Sequence, residues 1–309
     1  MTREYKTRAK LMGSAFEFIL SAKNPQEGES LLKECISEVQ RLERLLTEFS
    51  EDSDTGRLNR NAGGKAVEVS PETYELLRRS MYLSDLTQGA FDITTGVLKK
   101  LYNFKGESFQ IPSKAEIGEA KARSGYQKIQ LLDQCRVRLT VKGMHIGFGA
   151  IGKGYAADRV RRLMQQKGVP GGVINASGDL SAWGLRPDGQ RWKAGIANPQ
   201  NPDEPILWLP ILEGAVATSG NYEQYFEWKG ERYSHNIDPK SGLPVKGVQS
   251  VSVIGPSAEL CDALATAVTI MGPAAGLHLI NQLPATHCIL VDQRNHMHYS
   301  KKIQLHHAA

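Results

Sequence analysis

Three stretches of this 309-residue chain combine residue types that can do chemistry. In Tyr233-Ser234-His235-Asn236-Ile237-Asp238-Pro239 a histidine sits in a polar turn, and its near-neutral titration suits it to take up and return a proton. The preceding stretch, Val216-Ala217-Thr218-Ser219-Gly220-Asn221-Tyr222, sets small hydroxylated residues beside a turn signal, a composition suited to gripping a polar ligand and poor for filling a core. Gly147-Phe148-Gly149-Ala150-Ile151-Gly152-Lys153-Gly154 leads from a strand into a helix, where backbone N–H groups and the helix dipole favour an anion and Lys153 adds a charge. That loop matches neither the Walker pattern nor the dinucleotide fingerprint.

A fourth feature, a single pair of residues, lies further on. Asp262 and Thr266 are four residues apart on an expected helix, so a carboxylate and a hydroxyl share one face. Oxygen donors carrying one full charge, completed by water and phosphate, suit Mg²⁺ better than a soft metal. Taken singly, each feature also has a plain structural account: a surface histidine, a packing turn, a solvated lysine, a helix-start aspartate with a buried threonine.

The blocks together resemble the ApbE family, the FAD:protein FMN transferases. The resemblance is carried in order by Met12-Gly13-Ser14, Ala90-Phe91-Asp92-Ile93-Thr94, Gly152-Lys153-Gly154-Tyr155-Ala156-Ala157-Asp158, Asn175-Ala176-Ser177-Gly178-Asp179-Leu180, the Val216 and Ser234 stretches, and Asp262-Ala263-Leu264-Ala265-Thr266. It extends from Leu11 to about Gly272. It implies a single α+β domain over residues 1–309 and Mg²⁺-dependent transfer of FMN from FAD to a Thr or Ser hydroxyl of an acceptor flavoprotein, with release of AMP. His235 is implied as the base that deprotonates that hydroxyl. The metal falls to Asp262, Thr266 and the carbonyl of Ala150, and the donor pocket to Met12, Phe49, Ala90, Phe91, Asp92, Lys153, Asp179, Thr218, Ser219 and Ile237. Two departures stand out: Gly147 where the family commonly has an acidic residue, and Ala265 where some members add an aspartate. For Gly147, Asp158, Asp179 and Asp92 are the carboxylates to examine as substitutes. A pyrophosphatase releasing FMN and AMP, and a non-catalytic flavin-binding protein, are the alternatives.

Periodicity along the chain indicates the strands and helices that carry these residues. Leu11–Leu20 alternates as a strand, and Leu31 to Leu46 repeats at helical spacing. Ser50–Gly64 reads as a loop, and Pro71–Thr87 as a helix capped by Ser70 and left at Gly89. Helices are also expected over Glu116–Arg123, Lys153–Lys167, Ala258–Met271 and Pro273–Leu283. Strands are expected over Ile129–Leu132, Val137–Thr140, Met144–Ile146, Gly171–Leu185, Trp192–Ile196, Ile206–Leu212, Gly214–Thr218, Tyr222–Trp228, Val248–Ile254, His287–Val291 and His296–Tyr299. Without a strict βαβ rhythm, the pattern points to an α+β fold with mixed, largely antiparallel sheets and flanking helices.

Composition adds exclusions. A net charge of +5, spread along the chain, leans mildly towards anionic ligands and carries no nucleic-acid signature. Cys35, Cys135, Cys261 and Cys288 lack CxxC spacing, so neither a zinc site nor a disulfide framework is expected. No run is read as membrane-spanning, and the chain as given shows no leader, which implies a cytoplasmic protein or one whose export leader has been removed.

Overall fold

In the computed structural model of the chain, Met12 and Gly13 carry φ of 49° and 75°, the two left-handed residues of a tight turn. They join the antiparallel strands Arg3–Leu11 and Ser14–Ala22, with Leu11 opposite Ser14. The structure describes residues 2–102, 111–201, 204–220, 225–228, 231–301 and 303. These form two compact units: one of Met1–Val39, Lys153–Tyr222 and Gly247–Ala309, the other of Gln40–Gly152 and Glu223–Lys246.

The first unit is built on an eight-stranded antiparallel sheet in the order Arg3–Leu11, Ser14–Ala22, Gly171–Ala176, Asp179–Gly184, Gly214–Gly220, Val248–Gly255, His287–Asp292, Met297–Tyr299. A hairpin of Trp192–Ile196 and Leu207–Ile211 buries Trp192, Ala194, Ile196 and Ile211 against Val173, Ala182, Val216 and Ile289 of that sheet. Helix Ala258–Ile280 packs along Gly214–Gly220 and Val248–Gly255, and its small residues Ala263 and Ala267 are buried. Gly272 (φ 76°, ψ 178°) interrupts this helix just before Pro273, so the two expected helices meet end to end. Among the described residues it is the helix long and apolar enough to cross a membrane, which amends the expectation that no run reaches that length; here it is a packed core helix.

The second unit holds the helices Asp54–Arg60, Pro71–Leu86 and Lys114–Ala122 and a three-stranded sheet in the order Val67–Glu68, Arg136–Leu139, Ile129–Leu132. Ser70 caps the second helix by accepting from Thr73 N, and a reciprocal Ser113–Glu116 capping box starts the third. The amphipathic helix Pro25–Leu46 opens in the first unit and ends in the second.

The α+β class with antiparallel sheets is as expected. Four local readings are corrected. Arg3–Leu11 is a strand that its charged residues concealed, because backbone pairing with Ser14–Ala22 forms it. Within the expected loop Ser50–Gly64, Ser53 accepts from Gly56 N and starts the helix Asp54–Arg60, which buries Leu58. Met144–Ile146 is not a strand: the Asn59 carboxamide takes the place of a neighbouring chain, accepting from Ile146 N at 2.8 Å and donating to Ile146 O at 3.0 Å. Glu231–Ser234 is an additional strand paired with Tyr225–Trp228, while Asn221 and Tyr222 lie outside the described residues.

Candidate functional site

In the first unit, strand register gathers the expected residues at one end of the sheet. Phe16 pairs with Ala176, Ala176 with Asp179, and Leu180 with Val216. The Met12 turn, the Ser177-Gly178 turn before Asp179, and Thr218 with Ser219 therefore lie side by side, although up to 207 positions separate them in sequence. Ser14 Oγ is shielded from solvent there and has no hydrogen-bond partner among the described residues. Thr218 Oγ1 is bound to Ser252 Oγ across the sheet at 2.8 Å, so that hydroxyl helps hold the strand pair.

Helices Gly152–Gln166 and Ala258–Ile280 bring charge to this unit. Lys153 Nζ donates to Asp179 Oδ2, and Gly154 N, one of the orphan donors of its helix start, donates to Asp262 Oδ2 at 3.2 Å. Asp158 completes the frame, accepting from Ser181 Oγ at 2.8 Å and from Glu259 N at 2.9 Å. Asp179 and Asp262 are both buried, at 1% and 7% exposed, so Lys153, whose side chain is 29% exposed, is the reachable member of the ion pair.

The consequence is electrostatic. Burial first, and the Asp179 charge second, push the Asp262 carboxyl up from 3.8 to about 7, against the pull of Lys153 and the Gly154 amide. Burial likewise raises Asp179, opposed by Lys153 and by the Thr218 N–H. Two buried carboxyls share one ammonium, and a second cation would relieve them. The donors are hard oxygens, and Thr266 Oγ1, half-buried one turn after Asp262, has no hydrogen-bond partner among the described residues, unlike Thr269, which donates to Ala265 O. Among the described residues no group of three or more His, Cys, Asp or Glu side chains is arranged around a metal. This donor set fits a hard cation such as Mg²⁺ that arrives with ligands of its own, and not one held in an all-protein cage.

In the second unit the glycine-rich loop is pinned by Gly147 N donating to Ile93 O at 2.9 Å and by Ile151 N and Gly152 N donating to Phe148 O. Ala150 lies half-buried in that turn. The Ala90–Thr94 block braces the loop from within: Ala90 and Phe91 are buried, and Asp92 accepts from Thr94 N, Thr94 Oγ1 and Tyr126 N. Burial raises the Asp92 carboxyl despite those bonds. Ile237 is a core residue, packed with Leu98, Tyr102 and Ala120. His235 is half-buried on a backbone held on both sides, by Ser234 N to Val245 O and Val245 N to Asn236 O, each at 3.0 Å. Asp238 accepts from Lys240 N and Ser241 N, and Tyr102 Oη donates to Gly242 O, so the turn is set by its own aspartate and by a tyrosine from a distant segment. Phe49 is 91% exposed, open to stack on a planar group.

Sequence reasoning missed Glu48 and His145. A Cβ on Gly147 would meet Glu48 Oε1 at 3.1 Å and Oε2 at 3.4 Å, and His145 Nε2 is bonded to Glu48 Oε2. The carboxylate beside Gly147 is thus Glu48, and Asp92, the candidate in the same unit, faces inward. A histidine two residues before a glycine-rich turn was the available signal.

Comparison with known proteins follows the same lines. The model of the ApbE family matches residues 12–290. The chain is 29% identical over 280 residues to the FAD:protein FMN transferase of Escherichia coli (strain K12), covering 88% of this chain and 80% of that one. It is 33% identical over 256 residues to one from Klebsiella pneumoniae, covering 82% and 78%. Among solved structures, the apbe protein of Thermotoga maritima superposes with a TM-score of 0.89 at 31% identity, covering 97% of both chains. The apo flavinyl transferase ApbE of Pseudomonas stutzeri gives 0.86 at 29%, covering 96% of this chain and 94% of that one.

Proposed function

The chain belongs to the ApbE family, and from that premise we propose that this enzyme is a Mg²⁺-dependent transferase that moves FMN from FAD to a Thr or Ser hydroxyl of an acceptor flavoprotein and releases AMP. The observation that carries the reading is the Lys153–Asp179–Asp262 cluster, where a reachable ammonium stands beside a carboxyl raised to about 7. Lys153 and the amides of its helix start offer positive charge to the diphosphate. Asp262, Thr266 and the Ala150 carbonyl are assigned to the metal. When bound, Mg²⁺ neutralises diphosphate charge and holds the phosphates in place.

The chemistry then falls to His235. It takes the proton of the acceptor hydroxyl as that oxygen bonds to the phosphorus on the flavin side; the bond from this phosphorus to the bridging oxygen breaks, and AMP leaves with that oxygen. Incubation with FAD and Mg²⁺, with and without an acceptor threonine peptide, tests the reading. AMP formed only with the acceptor supports it, AMP and FMN without acceptor make the enzyme a pyrophosphatase, and neither product makes it a flavin-binding protein.

A further inference from the structure

Two glycines of the second unit clear a space, and a hydrogen-bonded carboxylate and imidazole fill it. A Cβ on Gly96 would lie 2.7 Å from His145 Cδ2, and one on Gly147 would face the Glu48 carboxylate at 3.1–3.4 Å. His145 and Glu48 are bonded to each other and are 15% and 30% exposed at the side chain. The proton on the ring is fixed by its neighbours. Lys100 Nζ approaches His145 Nδ1 at 3.4 Å, and an ammonium only donates, so Nδ1 accepts and Nε2–H donates to Glu48 Oε2. The bond from His145, with help from Lys100 and Lys99, holds Glu48 below the usual carboxylate range.

We propose that Glu48, oriented by His145, is a positioning residue for the flavin donor, its carboxylate standing on the glycine-rich loop where residue 147 has no side chain and taking hydrogen bonds from hydroxyl groups of the nucleotide. This rests on the FAD-donor reading above. An ionised carboxylate accepts and never donates, so it selects the ribityl and ribose hydroxyls of FAD and repels its phosphates. The contact is a matter of side chains and not of backbone conformation, because φ at Gly147 lies outside the left-handed region and the three atoms nearest to a Cβ there all belong to Glu48.

Moving the carboxylate from one position to the other tests the proposal. Dissociation constants for FAD are measured by flavin fluorescence in the wild type, Glu48→Ala, Gly147→Asp and the double variant, with thermal melting as the check on folding. Glu48→Ala weakens FAD binding by about 10- to 100-fold, the range for a lost bond to a charged acceptor. Gly147→Asp alone also weakens it, since two carboxylates then crowd one space. The double variant recovers most of the affinity, which loss of a merely structural contact would not allow. Glu48→Gln, which still accepts from His145, replaces Glu48→Ala if the latter fails to fold, and is expected to lose about tenfold. Unchanged affinity in these Glu48 variants, or no recovery in the double variant, overturns the proposal while leaving the transferase reading intact. A wild type that binds no FAD overturns both.

Discussion

Gly154 and Ala258 approach so closely that a Cβ on the glycine would lie 2.2 Å from the Ala258 carbonyl oxygen. Backbone contact at that point lets the start of one helix lie against the first turn of the other, and this is what places Asp262 within reach of the Gly154 amide. A side chain at residue 154 would push the two apart.

Asp262 is held at a cost to stability. Its carboxyl ionises at 3.8 ordinarily and at about 7 in the folded protein, so the folded state binds the extra proton and stability falls as pH rises between those values. Asp262→Asn, whose Oδ1 still accepts from Gly154, removes that burden. Metal-free Asp262→Asn is expected to melt a few degrees above wild type at pH 8, with no advantage at pH 4, and to have lost FMN transfer. Equal melting temperatures at pH 8 would show that the charge is already compensated.

His235 is assigned to proton transfer and not to donor binding. His235→Ala should lower the transfer rate by about 10²–10⁴-fold and leave the FAD dissociation constant within a few-fold of wild type. Stopped-flow transfer and fluorescence titration on the same preparation separate the two effects.

Ile237 and Asp92, which the family resemblance assigns to the donor pocket, are both buried, and the Ile237 side chain packs in a core cluster. Ile237→Ala, at 1% exposed among Leu98, Tyr102 and Ala120, should cost about 2–4 kcal/mol by denaturant unfolding. Ile237→Val should cost about 1 kcal/mol and leave FAD affinity unchanged. A weaker FAD complex in the valine variant would show that the Ile237 side chain itself shapes the donor pocket.

Asp292 reports on acid stability. The bond from His298, and those from the amides of His296 and Arg294, bring its carboxyl from 3.8 down to about 2. A depressed folded value stabilises above the unfolded one and is lost as pH falls through the folded one. Between pH 4 and 2 the wild type therefore loses this contribution, and Asp292→Asn should show a flatter melting-temperature profile over that interval.

How much was legible follows from what each residue depends on. Ser70-Pro71, Gly152-Lys153 and the small-residue helix after Ser257 declare themselves locally, through caps, turns and period, and their elements lie where expected. The end-of-sheet cluster could not be read that way, since Met12, Asp179 and Thr218 meet only through strand register. Block resemblance named them without showing why they meet. Asn59 and Glu48 were hidden for a different reason: each acts on a segment more than 80 residues away, on Ile146 and His145, and nothing in its own neighbourhood signals that partner.

The first and last strands of the large sheet have consequences for the company the protein keeps. Arg3–Leu11 shows Arg3, Glu4, Lys6, Arg8 and Lys10 to solvent, and Met297–Tyr299, at the other border, is three residues long. A strand arriving at the first border would have to bring its backbone past a row of charged, mostly cationic side chains, and one arriving at the second would find a strand too short to hold it. Eight strands can thus accumulate in one sheet without templating a ninth from a neighbouring molecule, so the protein is protected from edge-to-edge aggregation by charge at one border and by brevity at the other.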